Sequence, residues 1–347
     1  MTRALPLGLV ALVSGVCLVA RIASGDGEGA TAAVVELSGD AFGTTWHVRL
    51  AGVDGTSSPE EVSREIRAAL DAVDVGTSSW RNDSEIARFN RSPSTAWQAV
   101  SPDTAAVAAV ALEVHRRSEG AFDPTVAPLV ALWGFGSEGP RPGPPTPEAV
   151  SDALARVGSR ALGVRGDPPA LRKARPDLTL DLSAVAKGYA VDAVARRLDA
   201  LGVGRFLVEI GGELRARGEG PGGGPWRVGI ERPEPGPSRI GWTLALADAS
   251  LASAGDYRRY FEWQGRRYSH AIDPRTGRPV DHDLVSVSVL APDATRADAW
   301  ATALLVLGPE AGPRVATREG LAVLFVLDRG AGLETRATPA LEPHDLR

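Results

Sequence analysis

The sequence predicts an α+β fold. Short strand-like runs outnumber helical stretches and follow one another without a regular strand–helix alternation. The 39 glycines and 26 prolines in 347 residues supply the many turns such a chain needs. A hydrophobic fraction of 44% is enough for a large core, as one big domain or two moderate ones.

Residues 1–3 carry one positive charge, residues 4–20 form an uncharged run rich in Leu and Val, and Arg21 closes it. This is the pattern of an export leader, with a small-residue cleavage point at Ala23-Ser24-Gly25 or retention as a membrane anchor. Cys17, the lone cysteine, suggests lipidation, although Val16 before it is not the small residue that reaction prefers. Export across a bacterial inner membrane is therefore expected, with a spacer to residue 33.

Residues 33–37 and 44–50 read as strands around a Gly-bearing turn. Residues 59–73 have helical spacing (Val62, Ile66, Leu70, Val73), with Ser57 and Ser58 as caps. A second helix spans 101–118, capped by Ser101 with Pro102 at its first position. A Pro/Gly loop (136–147) precedes a short helix (147–157). A brief strand is expected at 178–180 and an amphipathic helix at 184–201, stopped by Gly202. Strands follow at 205–210, 226–231, 242–246 and 284–290, with a glycine loop at 218–224. A helix at 295–307 ends at Gly308, and 322–327 is a last strand. The tail 339–347 is expected to fray.

A net charge of −5 argues against a nucleic-acid partner. One cysteine excludes an intramolecular disulfide and any paired-cysteine metal site. No Gly-x-Ser-x-Gly elbow, HExxH, P-loop or dinucleotide fingerprint is present.

Six stretches carry candidate chemistry. In Asp181-Leu-Ser-Ala-Val-Ala-Lys187-Gly-Tyr-Ala-Val-Asp192 a strand runs into a helix with Ser183 as N-cap, and Lys187 places a cation near the positive end of the helix dipole. An anion there would favour it: Asp181 or a ligand phosphate. Asp298 and Thr302 lie four apart on one helix face. They read either as a capping box begun by Thr295 or as half a magnesium site. His270, before the turn Asp273-Pro-Arg-Thr-Gly277, reads as a structural residue, a general base or a phosphate partner. The aromatics between Gly120 and Gly136 serve as loop packing or as a wall for a planar ring. Ile210-Gly-Gly-Glu213 reads as a bulge or a close backbone approach to a ligand. Phe42-Gly-Thr-Thr-Trp46 lies in an early turn.

In this order, and together with Gly255-Asp-Tyr257, these stretches resemble the ApbE family, the FAD:protein FMN transferases, from about Ala41 to about Leu327. The resemblance implies two α/β lobes with mainly antiparallel sheets around a central FAD cleft, and one such domain over residues 34–338. It implies magnesium held by the Ala184 carbonyl, Asp298 and Thr302. It places Phe42, Trp80, Ala121, Phe122, Asp123, Asp181, Lys187 and Ile272 against the flavin nucleotide, and His270 beside the scissile phosphates. Asp298 and His270 are then the candidate bases for a Thr or Ser hydroxyl of an acceptor protein, among them exported or membrane redox proteins. Two departures stand out: Ala301, where some relatives carry an acid, and Ala254, where relatives often carry a serine that Ser253 would have to replace. The rival readings are a metal-dependent FAD pyrophosphatase and a non-catalytic FAD-binding protein.

Overall fold

The computed structural model describes residues 33–52, 58–136, 138–234 and 236–347. The leader, Cys17 and Ser57 lie outside these residues. The chain opens with β1 (Val34–Ala41) and β2 (Thr44–Ala51). Phe42 and Gly43 join them, both at positive φ (53° and 70°), the turn geometry that matches strand twist. α1 (Pro59–Thr77) and α2 (Glu85–Arg91) are capped by Ser58 and Ser84. β3 (Gln98–Ala99) leads into α3 (Pro102–Arg117), capped by Ser101. α4 (Ala127–Leu132) and α5 (Pro147–Leu154) are short. The hairpin of β4 (Leu162–Gly166) and β5 (Pro169–Lys173) pairs with β3. α6 (Ser183–Ala200) stops at Gly202, where φ is 77°.

β6 (Phe206–Ile210) and β7 (Glu213–Arg217) form a hairpin, as do β8 (Trp226–Glu231) and β9 (Ile240–Leu246). After β10 (Ser250–Gly255) come two small hairpins, β11 (Tyr260–Trp263) with β12 (Arg266–Ser269) and β13 (Ile272–Asp273) with β14 (Arg278–Pro279). β15 (Leu284–Ala291), α7 (Ala294–Arg318), β16 (Ala322–Asp328) and β17 (Leu333–Ala337) complete the fold.

Eight strands form one sheet in the order β1-β2-β6-β7-β10-β15-β16-β17, antiparallel throughout. The class is α+β, as the sequence predicts. Strand alternation divides the apolar residues between two faces. Phe206, Val208 and Ile210 meet α1, α3, α6 and α7 in the main core. Leu207, Leu214, Leu251 and Val326 meet the β8–β9 hairpin on the other face. β15 is covered on both sides, so every residue but its last is buried, Ser286 and Ser288 included. Burying each such side chain stabilises the fold by about 2 kcal/mol.

Four expectations are corrected. Residues 178–180 form no strand. The Asn90 side chain takes the place of a pairing strand, accepting from Leu180 N–H at 2.7 Å and donating to Leu180 O at 2.9 Å. Ile210-Gly-Gly-Glu213 is a tight hairpin turn rather than a bulge, since Ile210 pairs directly with Glu213. The helix after Thr295 does break at Gly308 (φ 77°, ψ −174°), but a second helical stretch follows to Arg318. The tail is docked rather than frayed: Leu341 is buried, and Arg347 exchanges both backbone hydrogen bonds with Thr243.

Candidate active site

α6 and α7 pack closely because Gly188 has no side chain. A Cβ there would stand 2.2 Å from the Ala294 carbonyl oxygen and 2.8 Å from Asp298 Cβ. The approach lets Asp298 Oδ2 accept the Gly188 N–H at 3.0 Å. Helix geometry assigns that N–H to the carbonyl four residues back, that of Ala184. Ala184 therefore lies one turn before the residue that Asp298 contacts. Thr302 lies one turn beyond Asp298, and its hydroxyl makes no hydrogen bond among the described residues.

The capping-box reading of Asp298 fails. Asp293 caps α7, accepting from Arg296 N–H at 2.8 Å. Thr295 Oγ1 instead donates to Asp192 Oδ2 at 2.5 Å. Asp192 also accepts the Ala294 and Thr295 amides, so the last residue of the α6 motif anchors the start of α7.

Ser183 is not the N-cap of α6. Leu182 holds that position without a side-chain bond, and Asp181 Oδ1 accepts Ser183 N–H at 2.9 Å. Lys187 finds its anion in Glu213 rather than Asp181, with Nζ 2.6 Å from Oε2 and 3.4 Å from Gly211 O. Burial pushes the carboxyls of Glu213 and Asp298 up. Burial also lifts Glu209 to about 7. For Lys187 burial opposes the charge, but Glu213, Asp298 and Glu209 outweigh it and the ammonium is held above its ordinary range. Three carboxyl groups lie in the field of one ammonium, and burial makes each of them hold its proton more tightly than in water.

β12 runs directly into His270. The Arg259 carbonyl accepts both its backbone N–H at 3.1 Å and its Nδ1–H at 3.0 Å. A carbonyl only accepts, so Nδ1 carries the proton and Nε2 presents a lone pair. Burial, with the charges of Arg259, Lys187 and Arg267, holds this imidazole down at about 4, so it is neutral at pH 7. The Arg259 guanidinium donates to Phe135 O and senses the charge of Asp181. Asp181 N–H in turn reaches Pro124 O at 2.8 Å, drawing the loop 121–125 to the start of α6.

The ApbE family profile matches residues 42–325. The chain belongs to the ApbE family. It is 41% identical over 312 residues to the FAD:protein FMN transferase of Salmonella typhimurium, spanning 89% of each protein. It is 40% identical over 339 residues to that of Klebsiella pneumoniae, spanning 97% of this chain and 95% of the other. The flavin transferase ApbE from Vibrio cholerae superposes with a TM-score of 0.83 at 38% identity, over 90% of this chain and 99% of that one. The Pseudomonas stutzeri flavinyl transferase ApbE in its apo form gives 0.82 at 39%, over 90% and 96%.

The Phe42 turn abuts the β6–β7 turn, since Gly211 N–H donates to Thr45 O at 3.2 Å. Ala121 and Phe122 are buried. The Asp123 carboxylate is occupied within the protein, accepting from Thr125 N–H, Thr125 Oγ1 and Ser159 Oγ at 2.8, 2.6 and 2.6 Å. Ile272 packs with Trp133 and Phe135, so these loop aromatics pack as a small core. Trp80 stands apart, 60% exposed between α1 and α2, with no hydrogen bond or ring contact to the others. Ala301 faces the main core. The Ser253 hydroxyl is engaged with Ser288 Oγ at 2.7 Å. Sequence reasoning named Glu213 only as part of a turn and missed Glu209 and Arg259. A glutamate within the apolar run of β6 was the one signal for Glu209.

Among the described residues no three His, Cys, Asp or Glu side chains gather closely enough to hold a metal ion. The set of Ala184 O, Asp298 and Thr302 needs no such group. One carboxylate, one carbonyl and one hydroxyl are hard oxygen donors of the kind magnesium takes alongside substrate phosphate and water. The residues present fit that ion.

Proposed function

We propose that this chain transfers the FMN half of FAD to a Thr or Ser hydroxyl of an acceptor protein, with Mg2+ assistance and release of AMP. The observation that carries the reading is the Asp298–Gly188 contact between α7 and α6, with Ala184 and Thr302 each one helical turn from it and Lys187 adjacent. Bound there, Mg2+ would supply Lewis-acid charge to the FAD diphosphate. Lys187 and the uncapped start of α6 supply further positive potential to the phosphates. The acceptor oxygen bonds to the FMN phosphorus as the bond to the bridging diphosphate oxygen breaks. AMP leaves with that oxygen, and the hydroxyl proton passes to Nε2 of His270. Asp298 is the alternative base, but one of its oxygens already accepts the Gly188 N–H and the reading gives it to the metal. Positioning and charge do most of the work in such phosphoryl chemistry.

The leader in residues 1–33 supports an extracytoplasmic location with membrane attachment, facing exported or membrane redox proteins as acceptors. Incubation with FAD, Mg2+ and an acceptor domain should leave covalent flavin fluorescence on the acceptor after denaturing electrophoresis. Release of FMN and AMP without labelling would instead show a pyrophosphatase, and FAD retained unchanged would show a binding protein.

A further inference from the structure

We infer that Glu213 is a positioning residue, which sets the Lys187 ammonium against the diphosphate and keeps it off the Asp298 carboxylate. This rests on the reading of Lys187 as a phosphate-site cation. Lysine is a point charge on a flexible four-carbon stem, and its place depends on what grips it. Here the stem runs past the β6–β7 turn: a Cβ on Gly211 would stand 3.4 Å from Lys187 Cδ. The head is gripped by Glu213 Oε2 at 2.6 Å, and Glu213 is itself almost wholly buried.

The turn fixes Glu213 in turn. Gly211 and Gly212 hold φ of 57° and 106°, which lets β7 restart with Glu213 directly opposite Ile210. Ile210 belongs to the helix-side core, so Glu213 faces α6. Glu209 Oε1 accepts Gly212 N–H at 2.7 Å and locks the turn from the other side. Lys187 also lies within the field of Asp298. Without Glu213 the strongest remaining attraction on the ammonium is Asp298, the only carboxylate of the metal set. Glu213 thus acts on the site through Lys187.

A double-mutant cycle on FAD affinity, read by flavin fluorescence quenching without magnesium, tests this. Glu213→Gln should weaken FAD binding about tenfold, the effect of losing one charge-assisted hydrogen bond. In a Lys187→Ala background the same change should alter affinity by less than about twofold, because the group it acts through is gone. Glu213→Asp, which keeps the charge but shortens its reach, should behave alike and serves if the glutamine variant does not fold. A loss of equal size in both backgrounds, or none in the first, overturns the inference. If Lys187→Ala itself leaves FAD affinity unchanged, the phosphate-site reading of Lys187 falls, and this inference with it.

Discussion

Asp298 bears the greatest chemical demand of any side chain here. It is buried, it accepts a backbone N–H from another helix, and it is the sole carboxylate in the proposed metal set. Asp298→Ala should therefore abolish transfer. Its cost in stability should be small, since it removes a carboxyl that burial already disfavours and leaves Gly188 N–H its own helix carbonyl. Melting temperature and rate on one sample check both halves. Glu209 gives a test by pH. Its carboxyl ordinarily titrates at 4.5, and burial lifts it to about 7 in the fold. Between those values the folded chain keeps a proton that the unfolded chain releases, so stability falls as pH rises through that window. Glu209→Gln has no such proton, and its stability relative to wild type should climb by about 3 kcal/mol from pH 4.5 to 7. Parallel denaturation curves for the two proteins across that range would show that Glu209 is ionised when folded.

The helix pair α6–α7 is the element on which the site depends. Gly188→Ala would push a methyl group into the Ala294 carbonyl. The helices must separate, at a cost of about 1–3 kcal/mol, and the Ala184 and Asp298 oxygens part with them. The variant should melt lower and lose magnesium-dependent turnover together; unchanged melting and rate would mean the close approach is not needed. These two helices were legible in the sequence, because apolar spacing, Gly202 and Gly308 mark them. Asp298 was ambiguous there, since Thr295-x-x-Asp298 satisfies a capping pattern and only the third dimension reveals Asp192 as the partner of Thr295. Residues 178–180 look like a strand because they are apolar and extended, yet their partner is the side chain of Asn90, ninety positions away from Leu180. The two-residue strands β13 and β14 are too short for any period to show. Arg259 acts through its carbonyl, which no sequence pattern reports.

At the scale of the molecule, one antiparallel sheet carries helices on one face, and the turns at one end of β1–β2 and β6–β7 meet the starts of α6 and α7. No helix among the described residues is long and apolar enough to cross a membrane. An alkaline-phosphatase fusion after residue 35 should be active in a bacterial host; an inactive fusion would place the protein on the cytoplasmic side. The central claim is that FAD cleavage and acceptor labelling are one event at the Asp298 site. Quantifying AMP released and FMN mass added to an acceptor domain, for wild type and Asp298→Ala at saturating FAD and magnesium, tests it most directly. The account predicts equal amounts of AMP and linked FMN from wild type and neither from the variant. AMP formed without linked FMN, or a variant within about threefold of the wild-type rate, would contradict it.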